Sequence, residues 1–238
     1  MNKWQADLFD VLREMDTEQE LANRIGWTAT ELGFDHYSYG LWLPLPLSCP
    51  AMECISNTPI EWQQRYRQMK YAQVDPVVLH ARRSREPLVW TDAVLDRQPA
   101  LQADARRHGL CSGWTQASTN AQGMRGVLTL SRHAPTLSAA ELVHKEADLR
   151  WLAYMAHLFL SNLIMKRREP QAPVALTDRE AEVLRWTGDG KTTGEISSIL
   201  EISDNTVNYH LKNAVAKLRA ANKTSAVVMA LTQGLLAR

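Results

Sequence analysis

The 238-residue sequence predicts an α+β chain in two parts, an α-β-α sandwich followed by an all-α segment. Three observations predict it. Before residue 165, strand-like runs with a period near two are bracketed by segments with a period near 3.6. The stretch Lys166-Arg167-Arg168-Glu169-Pro170-Gln171-Ala172-Pro173 then interrupts the pattern, because its two prolines neither continue a helix nor fit inside a sheet. After it, helix-start signals recur to the C-terminus. The expected division is therefore residues 1–165, a linker at 166–173, and residues 174–238.

The elements follow in order. Residues 16–32 carry an amphipathic pattern that ends at Gly33, where a helix can close in the left-handed conformation. Residues 36–43 (HYSYGLWL) and 126–132 (GVLTLSR) are rich in aromatic, branched and alternating side chains, as strands are. Between them, 59–70 and 100–107 read as helices. Residues 139–164 form one long helix, with Leu142, Leu149, Leu152, Met155, Ala156, Phe159 and Leu163 near helical spacing.

Composition excludes several classes. Hydrophobic residues make up 45% and charged residues 22%, as in ordinary globular proteins. The N-terminus lacks a signal-peptide pattern. The apolar stretch at 41–47 is short and holds Pro44 and Pro46, so no membrane partner is expected. Cys49, Cys54 and Cys111 read as reduced thiols of a cytoplasmic protein. The seven histidines (36, 80, 108, 133, 144, 157 and 210) lack metal-ligand spacing. No nucleophile elbow or phosphate-binding glycine loop occurs, so neither an enzyme nor a cofactor is expected. Asp7, Asp10 and Asp16 do not form the acidic cluster of a phosphoacceptor domain.

A net charge of +1 does not suggest nucleic acid by itself, so the position of the charge decides. Thr177-Asp178-Arg179-Glu180 and Thr192-Thr193-Gly194-Glu195 fit capping boxes. Ser203 caps a third helix, with Asp204 in its first turn. Only Glu201 and Ile202 separate the second helix from that cap, the tight connection of a helix-turn-helix. On the third helix, Val207, Leu211, Ala214, Val215 and Leu218 should pack inward. Asn205, Asn208, Tyr209, Lys212, Asn213 and Arg219 remain free, and amides and cations are the groups that reach base edges and phosphates. Seven acids face three bases from Asp178 to Asp204, whereas five bases and no acid follow from Asn205 onward.

The stretch from Leu176 to Val227, with its K-T-x-x-E-I and T-V-N-Y-H segments, Gly190 and the Asn222-Lys223 pair, closely resembles the LuxR-type helix-turn-helix. The resemblance implies four helices, a recognition helix at about residues 204–218, and a last helix at 224–236. That last helix would dimerise through Val227, Val228, Leu231 and Leu235. A homodimer would read an inverted repeat in double-stranded DNA, with recognition helices roughly 34 Å apart. Lys191, Thr192, Asn205, Thr206, Asn208, Tyr209, Lys212 and Asn213 form the expected DNA-facing set.

In the N-terminal part, Trp62 and Tyr66 share a helix face, Asp75-Pro76 follows, and Trp90 lies in an apolar context. Such residues suit a small amphipathic ligand, although aromatics at this spacing equally serve a core and an Asp-Pro pair a turn. The order W-x-x-x-Y, D-P, W, with L-G-F-D at 32–35 and Gly109 and Gly113, is similar to the autoinducer-binding domain of quorum-sensing LuxR-type regulators. It implies an α-β-α sandwich with a central antiparallel sheet and an N-acyl-homoserine lactone as effector. Trp62 would donate to the lactone carbonyl and Asp75 would accept the ligand amide N–H. Tyr66, Trp90, Ala105 and Leu110 would wall the pocket. Ser38, Thr115 and Thr129 would meet the acyl carbonyl or line the chain. The chain departs from the pattern at Thr58, where relatives commonly carry tyrosine. A threonine is shorter and leaves more room, which would weaken the usual ligand, admit a bulkier or substituted chain, or shift the hydrogen bond to Ser38 or Thr129. A non-lactone small molecule is the alternative signal.

Overall fold

The computed structural model describes residues 3–43, 45, 48, 51–120, 123–133, 136–168 and 174–236. Pro44, Pro46, Cys49, Arg238 and the prolines of the basic stretch lie outside them. The chain forms two compact units, parting after Glu169.

The first unit opens with α1 (Lys3–Arg13) and α2 (Glu18–Glu31). Thr17 caps α2, its hydroxyl accepting from the Glu20 amide in a reciprocal capping box. The helix closes at Gly33, whose φ of 85° is costly for any residue with a Cβ. Five strands follow: β1 (His36–Trp42), β2 (Met52–Ser56), β3 (Leu88–Trp90), β4 (Ser112–Thr119) and β5 (Arg125–Arg132). They form one sheet in the order β2-β1-β5-β4-β3, and every pairing is antiparallel. Helices α3 (Ile60–Gln68), α4 (Pro76–Arg83), α5 (Asp92–Leu95) and α6 (Pro99–Arg107) intervene, and α7 (Ala139–Arg168) ends the unit.

Alternation along β1 and β5 sends side chains to two different layers. Tyr39, Leu41, Leu128 and Leu130 join Ile25, Leu149, Leu152 and Leu160 in a core with α2 and α7. Trp114 at its centre is fully buried. Each such side chain contributes about 1.5–3 kcal/mol relative to exposure. On a second layer Trp62, Tyr71, Val77, Trp90, Leu95, Leu101, Ala105 and Leu110 form a separate aromatic-rich cluster.

Three strands and three helices, α1, α4 and α5, are absent from the sequence-based expectation. β2 carries charged Glu53, β3 has only three residues, and β4 (SGWTQAST) mixes glycine with small polar residues, so none shows clean alternation. α4 and α5 are only eight and four residues long. The linker expectation also needs correction, because α7 runs through Lys166, Arg167 and Arg168. Cations suit the carbonyl end of a helix. Arg167 also pairs with Glu18 at 3.0 Å and Glu53 at 3.1 Å, and Arg168 pairs with Glu53 at 2.7 Å.

The second unit holds α8 (Asp178–Gly188), α9 (Thr193–Leu200), α10 (Asp204–Lys217) and α11 (Lys223–Thr232). Thr177 and Thr192 form complete capping boxes, and Ser203 accepts from the Thr206 amide. Glu201 turns the chain between α9 and α10 at a φ of 53°. Val183, Leu184, Ile196, Val207, Leu211, Ala214, Leu218, Ala226 and Ala230 make a shared core. The last helix is shorter than the expected 224–236. It is capped at Gln233, and Gly234 turns away at a φ of 71°, so Leu235 lies beyond the helix. Val227 is buried in this unit's own core, whereas Leu231 is 57% exposed.

Candidate ligand cavity and DNA-facing helix

A cavity of about 720 Å³ lies within the first unit, lined by strands β1, β2 and β5 and by α3, α4 and α6. Its wall includes Ser38, Thr58, Trp62, Tyr66, Asp75, Trp90, Ala105, Leu110 and Thr129. Thr115 is not on that wall. It is fully buried behind it, where its hydroxyl accepts the Trp90 indole N–H at 3.2 Å and donates to Thr129 Oγ1 at 3.1 Å.

Helical spacing on α3 places Trp62 and Tyr66 edge to face, with ring centroids 5.3 Å apart. Tyr71 stacks on Trp62 at 6.4 Å. The Trp62 indole N–H has no hydrogen-bond acceptor among the described residues, and Trp62 lines the cavity. Gly113 permits the flat approach of Trp90, since a Cβ there would meet the Trp90 ring at 2.5 Å and the Leu130 carbonyl at 2.0 Å.

Asp75 has two roles. It is the N-cap of α4, accepting the Val77 amide at 2.8 Å, and Pro76 fits the first helical turn because a proline lacks only an N–H that would be unpaired there. Its other oxygen accepts the Tyr66 hydroxyl at 2.7 Å. Burial pushes the Asp75 carboxyl above its ordinary value, against the lowering effect of Tyr66 and the Val77 and Val78 amides. Burial and the neighbouring carboxylate push the Tyr66 phenol well up, so it stays a proton donor. A carboxylate has about four acceptor positions, so Asp75 retains capacity for a ligand N–H.

Asp104 is a residue that sequence reasoning missed. It lies buried on α6 and joins Arg65 (2.6 Å), Tyr71 (2.7 Å) and Arg107 (3.1 Å). Hydrogen bonds from Arg65 and then Tyr71 hold its carboxyl below the ordinary range. The network ties α3 and the Tyr71 turn to α6. A carboxylate three positions from Leu101 on an apolar helix face is the signal that could have found it. Ser56, Met52, Cys54 and Leu95, also cavity residues, belong to short elements that the periodicity did not reveal.

On α10, Asn205, Asn208, Tyr209 and Lys212 are exposed, Tyr209 to 63%. Thr206 and Asn213 are half-buried, and the Thr206 hydroxyl meets Ser203 Oγ at 2.9 Å. Lys191 is exposed before α9. The Thr192 hydroxyl is engaged in its capping box, donating to Glu195 Oε2 at 2.9 Å and accepting the Glu195 amide at 3.3 Å. Lys217 leaves the free basic surface, because its ammonium lies 2.7 Å from buried Glu180. Burial alone would raise the Glu180 carboxyl, but Lys217 and the Thr177 amide bring it below its ordinary value. Arg219 follows α10 in a left-handed turn at a φ of 52°.

Comparison with known proteins places these two sites in one family. Residues 17–160 match the autoinducer binding domain family, and residues 174–230 match the bacterial regulatory proteins of the luxR family. The transcriptional activator protein SolR of Ralstonia solanacearum is 40% identical over 230 residues, covering 97% of this chain and 98% of SolR. The quorum-sensing regulator RhlR of Pseudomonas aeruginosa is 38% identical over 208 residues, covering 86% of this chain and 85% of RhlR. The structure of Escherichia coli SdiA has a TM-score of 0.84 at 30% identity, covering 99% of this chain and 98% of SdiA. SdiA bound to octanoyl-rac-glycerol gives 0.82 at 30% identity, with 99% and 96% covered. The chain therefore belongs to the LuxR family of quorum-sensing transcriptional regulators, with an autoinducer-binding domain and a LuxR-type DNA-binding domain.

Proposed function

We propose that the cavity binds an N-acyl-homoserine lactone and that the chain, as a homodimer, binds an inverted-repeat element. Residues 1–165 act as the effector domain and 174–238 as the DNA-binding domain. Trp62 donates to the lactone carbonyl and Asp75 accepts the ligand amide N–H. Ser38, Thr58, Tyr66, Trp90, Ala105, Leu110 and Thr129 surround the ligand, with Thr115 acting through Thr129. The observation that carries this reading is the unpaired Trp62 indole N–H in the same apolar cavity as the buried Asp75 carboxylate. A donor and a buried acceptor on one cavity wall suit a ligand that offers a carbonyl and an amide N–H.

On the DNA side, Asn205, Asn208, Tyr209 and Lys212 contact bases and phosphates, with Lys191, Thr206 and Asn213 flanking them. The Thr192 contact is made by its backbone or methyl face, since its hydroxyl is engaged. Val228 and Leu231 remain for dimer contacts on α11. The protein is a cytoplasmic binding protein without turnover or cofactor. Among the described residues no helix is long and apolar enough to cross a membrane.

A monoacylglycerol is the second reading, motivated by the related SdiA complex and by the room left at Thr58. Thermal stability of the purified full chain, measured across lactones of graded length and octanoylglycerol, tests both. A matched lactone at about 100 times its Kd should stabilise by about 2.7 kcal/mol. A rise with octanoylglycerol and none with any lactone would replace the first reading by the second.

A further inference from the structure

Trp62 is held by three rings. Tyr66 meets it edge to face at 5.3 Å, Tyr71 stacks on it at 6.4 Å, and His108 tilts against it at 5.8 Å. Trp62 and Tyr66 line the cavity, whereas Tyr71 and His108 are not on its wall. An indole has a single donor, and a hydrogen bond weakens steeply once it bends below about 120°. The plane of the Trp62 ring therefore decides where its N–H points, and the rings around it decide that plane.

Each of these rings is anchored at its polar end. The Tyr66 hydroxyl is committed to Asp75 at 2.7 Å. The other two converge on one residue of α6. Tyr71 donates to Asp104 Oδ2 at 2.7 Å, and His108 Nδ1 lies 2.8 Å from the Asp104 main-chain carbonyl. A carbonyl only accepts, so that nitrogen carries the proton. Asp104 Oδ2 also takes the Nε–H of Arg65 at 2.6 Å, and Arg65 stands one helical turn beyond Trp62 on α3.

A carboxylate that is only 5% exposed needs a physical reason. Stability does not supply one, because well-packed apolar residues in place of a buried ion pair are often as stable or more so. Nor does Asp104 lie on the cavity wall, although Leu101 and Ala105 on the same helix do. What an ionised acceptor adds is direction, since one carboxylate holds a phenol and a guanidinium in fixed geometry.

We propose that Asp104 is a positioning residue for ligand recognition: through Tyr71, His108 and Arg65 it sets the plane of the Trp62 indole and so aims the N–H at the ligand carbonyl. The inference rests on the lactone reading, in which Trp62 gives that proton to the lactone. Asp104 itself does not touch the ligand, and its effect on affinity passes through Trp62. Where position 62 has no N–H to aim, loss of the Asp104 contacts costs no further affinity.

A double-mutant cycle on the full chain, read by calorimetry, tests this. The probe is whichever of butanoyl-, octanoyl- and dodecanoyl-homoserine lactone binds the unsubstituted protein most tightly. Tyr71→Phe keeps the stacked ring and removes only its hydroxyl, while Asp104→Asn keeps the shape and removes the charge. Each should weaken the probe about three- to tenfold, the range of one net hydrogen bond. In a Trp62→Phe background each should leave the affinity within about twofold of that of Trp62→Phe alone. A loss of the same size in both backgrounds would overturn the assignment, reduce the network to a support of the fold, and leave the lactone reading standing. An unchanged affinity in Tyr71→Phe would do the same, and that variant decides the matter if Asp104→Asn does not fold. No binding of any of the three lactones would overturn both.

Discussion

Asp75 carries two duties at once, and the two can be separated by substitution. Asp75→Ala removes an N-cap as well as an acceptor, so it should lower stability by about 1 kcal/mol whatever the ligand. Asp75→Asn is the cleaner change, since asparagine caps helices equally well. It keeps the cap but puts an amide NH2 where an oxygen accepted the Tyr66 hydroxyl, so it should lower the urea midpoint less than Asp75→Ala does. It should still weaken a lactone about tenfold or more, because one charged acceptor is lost. Trp62→Phe keeps the ring contact with Tyr71 but removes the indole donor, and should weaken the same lactone about three- to tenfold. An unchanged affinity in both variants, by calorimetry, would remove these residues from the ligand.

A second residue-scale expectation concerns acid stability. Glu141 meets Arg132 in a two-pronged pair at 2.8 Å and Lys145 at 2.8 Å, and those hydrogen bonds lower its carboxyl from the ordinary 4.5 to about 2. A carboxyl lowered by folding stabilises fully above its unfolded value and loses that contribution as the pH falls through its folded value. The pairs therefore stabilise above about pH 4.5, and the effect fades toward pH 2. Glu141→Gln should unfold at lower urea than the unsubstituted protein at pH 7, and the two midpoints should converge as the pH approaches 2. A constant difference across that range would exclude the ion pairs as its source.

At the scale of the element, legibility followed cap chemistry and length. Thr177, Thr192 and Ser203 announced their helices because a hydroxyl followed three positions later by a carboxylate, or by an acid in the first turn, is a local signal. The ends of α7 and α11 were misjudged for physical reasons too. Arg167 and Arg168 look like linker in sequence but are held by Glu18 and Glu53, residues more than a hundred positions away. The last helix stops early because Gly234 takes a left-handed turn that the apolar run through Leu236 conceals. In the cavity, Trp62, Tyr66, Asp75 and Trp90 were legible because the family pattern joins them. Ser56 was not, since cross-strand register sets it opposite Ser38 and one sequence does not display register. Asp104 was not, since its partners Arg65 and Tyr71 lie more than thirty positions away on other elements.

The polar face of α10 supports an expectation at the same scale. Lys212→Ala should weaken DNA binding across all sequences and reduce its salt slope by about one. Asn208→Ala should instead relax base preference at one position by about 1–3 kcal/mol. Fluorescence anisotropy at several salt concentrations separates the two. Lys217→Ala should act differently again, lowering stability by stranding buried Glu180. An equal loss of DNA affinity in Lys212→Ala and Lys217→Ala, with stability unchanged in both, would contradict this division of labour.

For the whole molecule, the proposal is that ligand and DNA are linked. A lactone that fills a cavity of about 720 Å³ completes the second core of the effector domain and stabilises it by mass action. Linkage then requires that whatever the lactone adds to DNA affinity, DNA adds to lactone affinity. The most direct test is the affinity of the full chain for an inverted-repeat duplex, selected from random DNA, with and without saturating lactone. Binding should tighten about five- to 150-fold with the lactone, the usual range of such coupling, and the gain should shrink in Asp75→Asn. Equal DNA affinity with and without a lactone that demonstrably occupies the cavity would contradict the account.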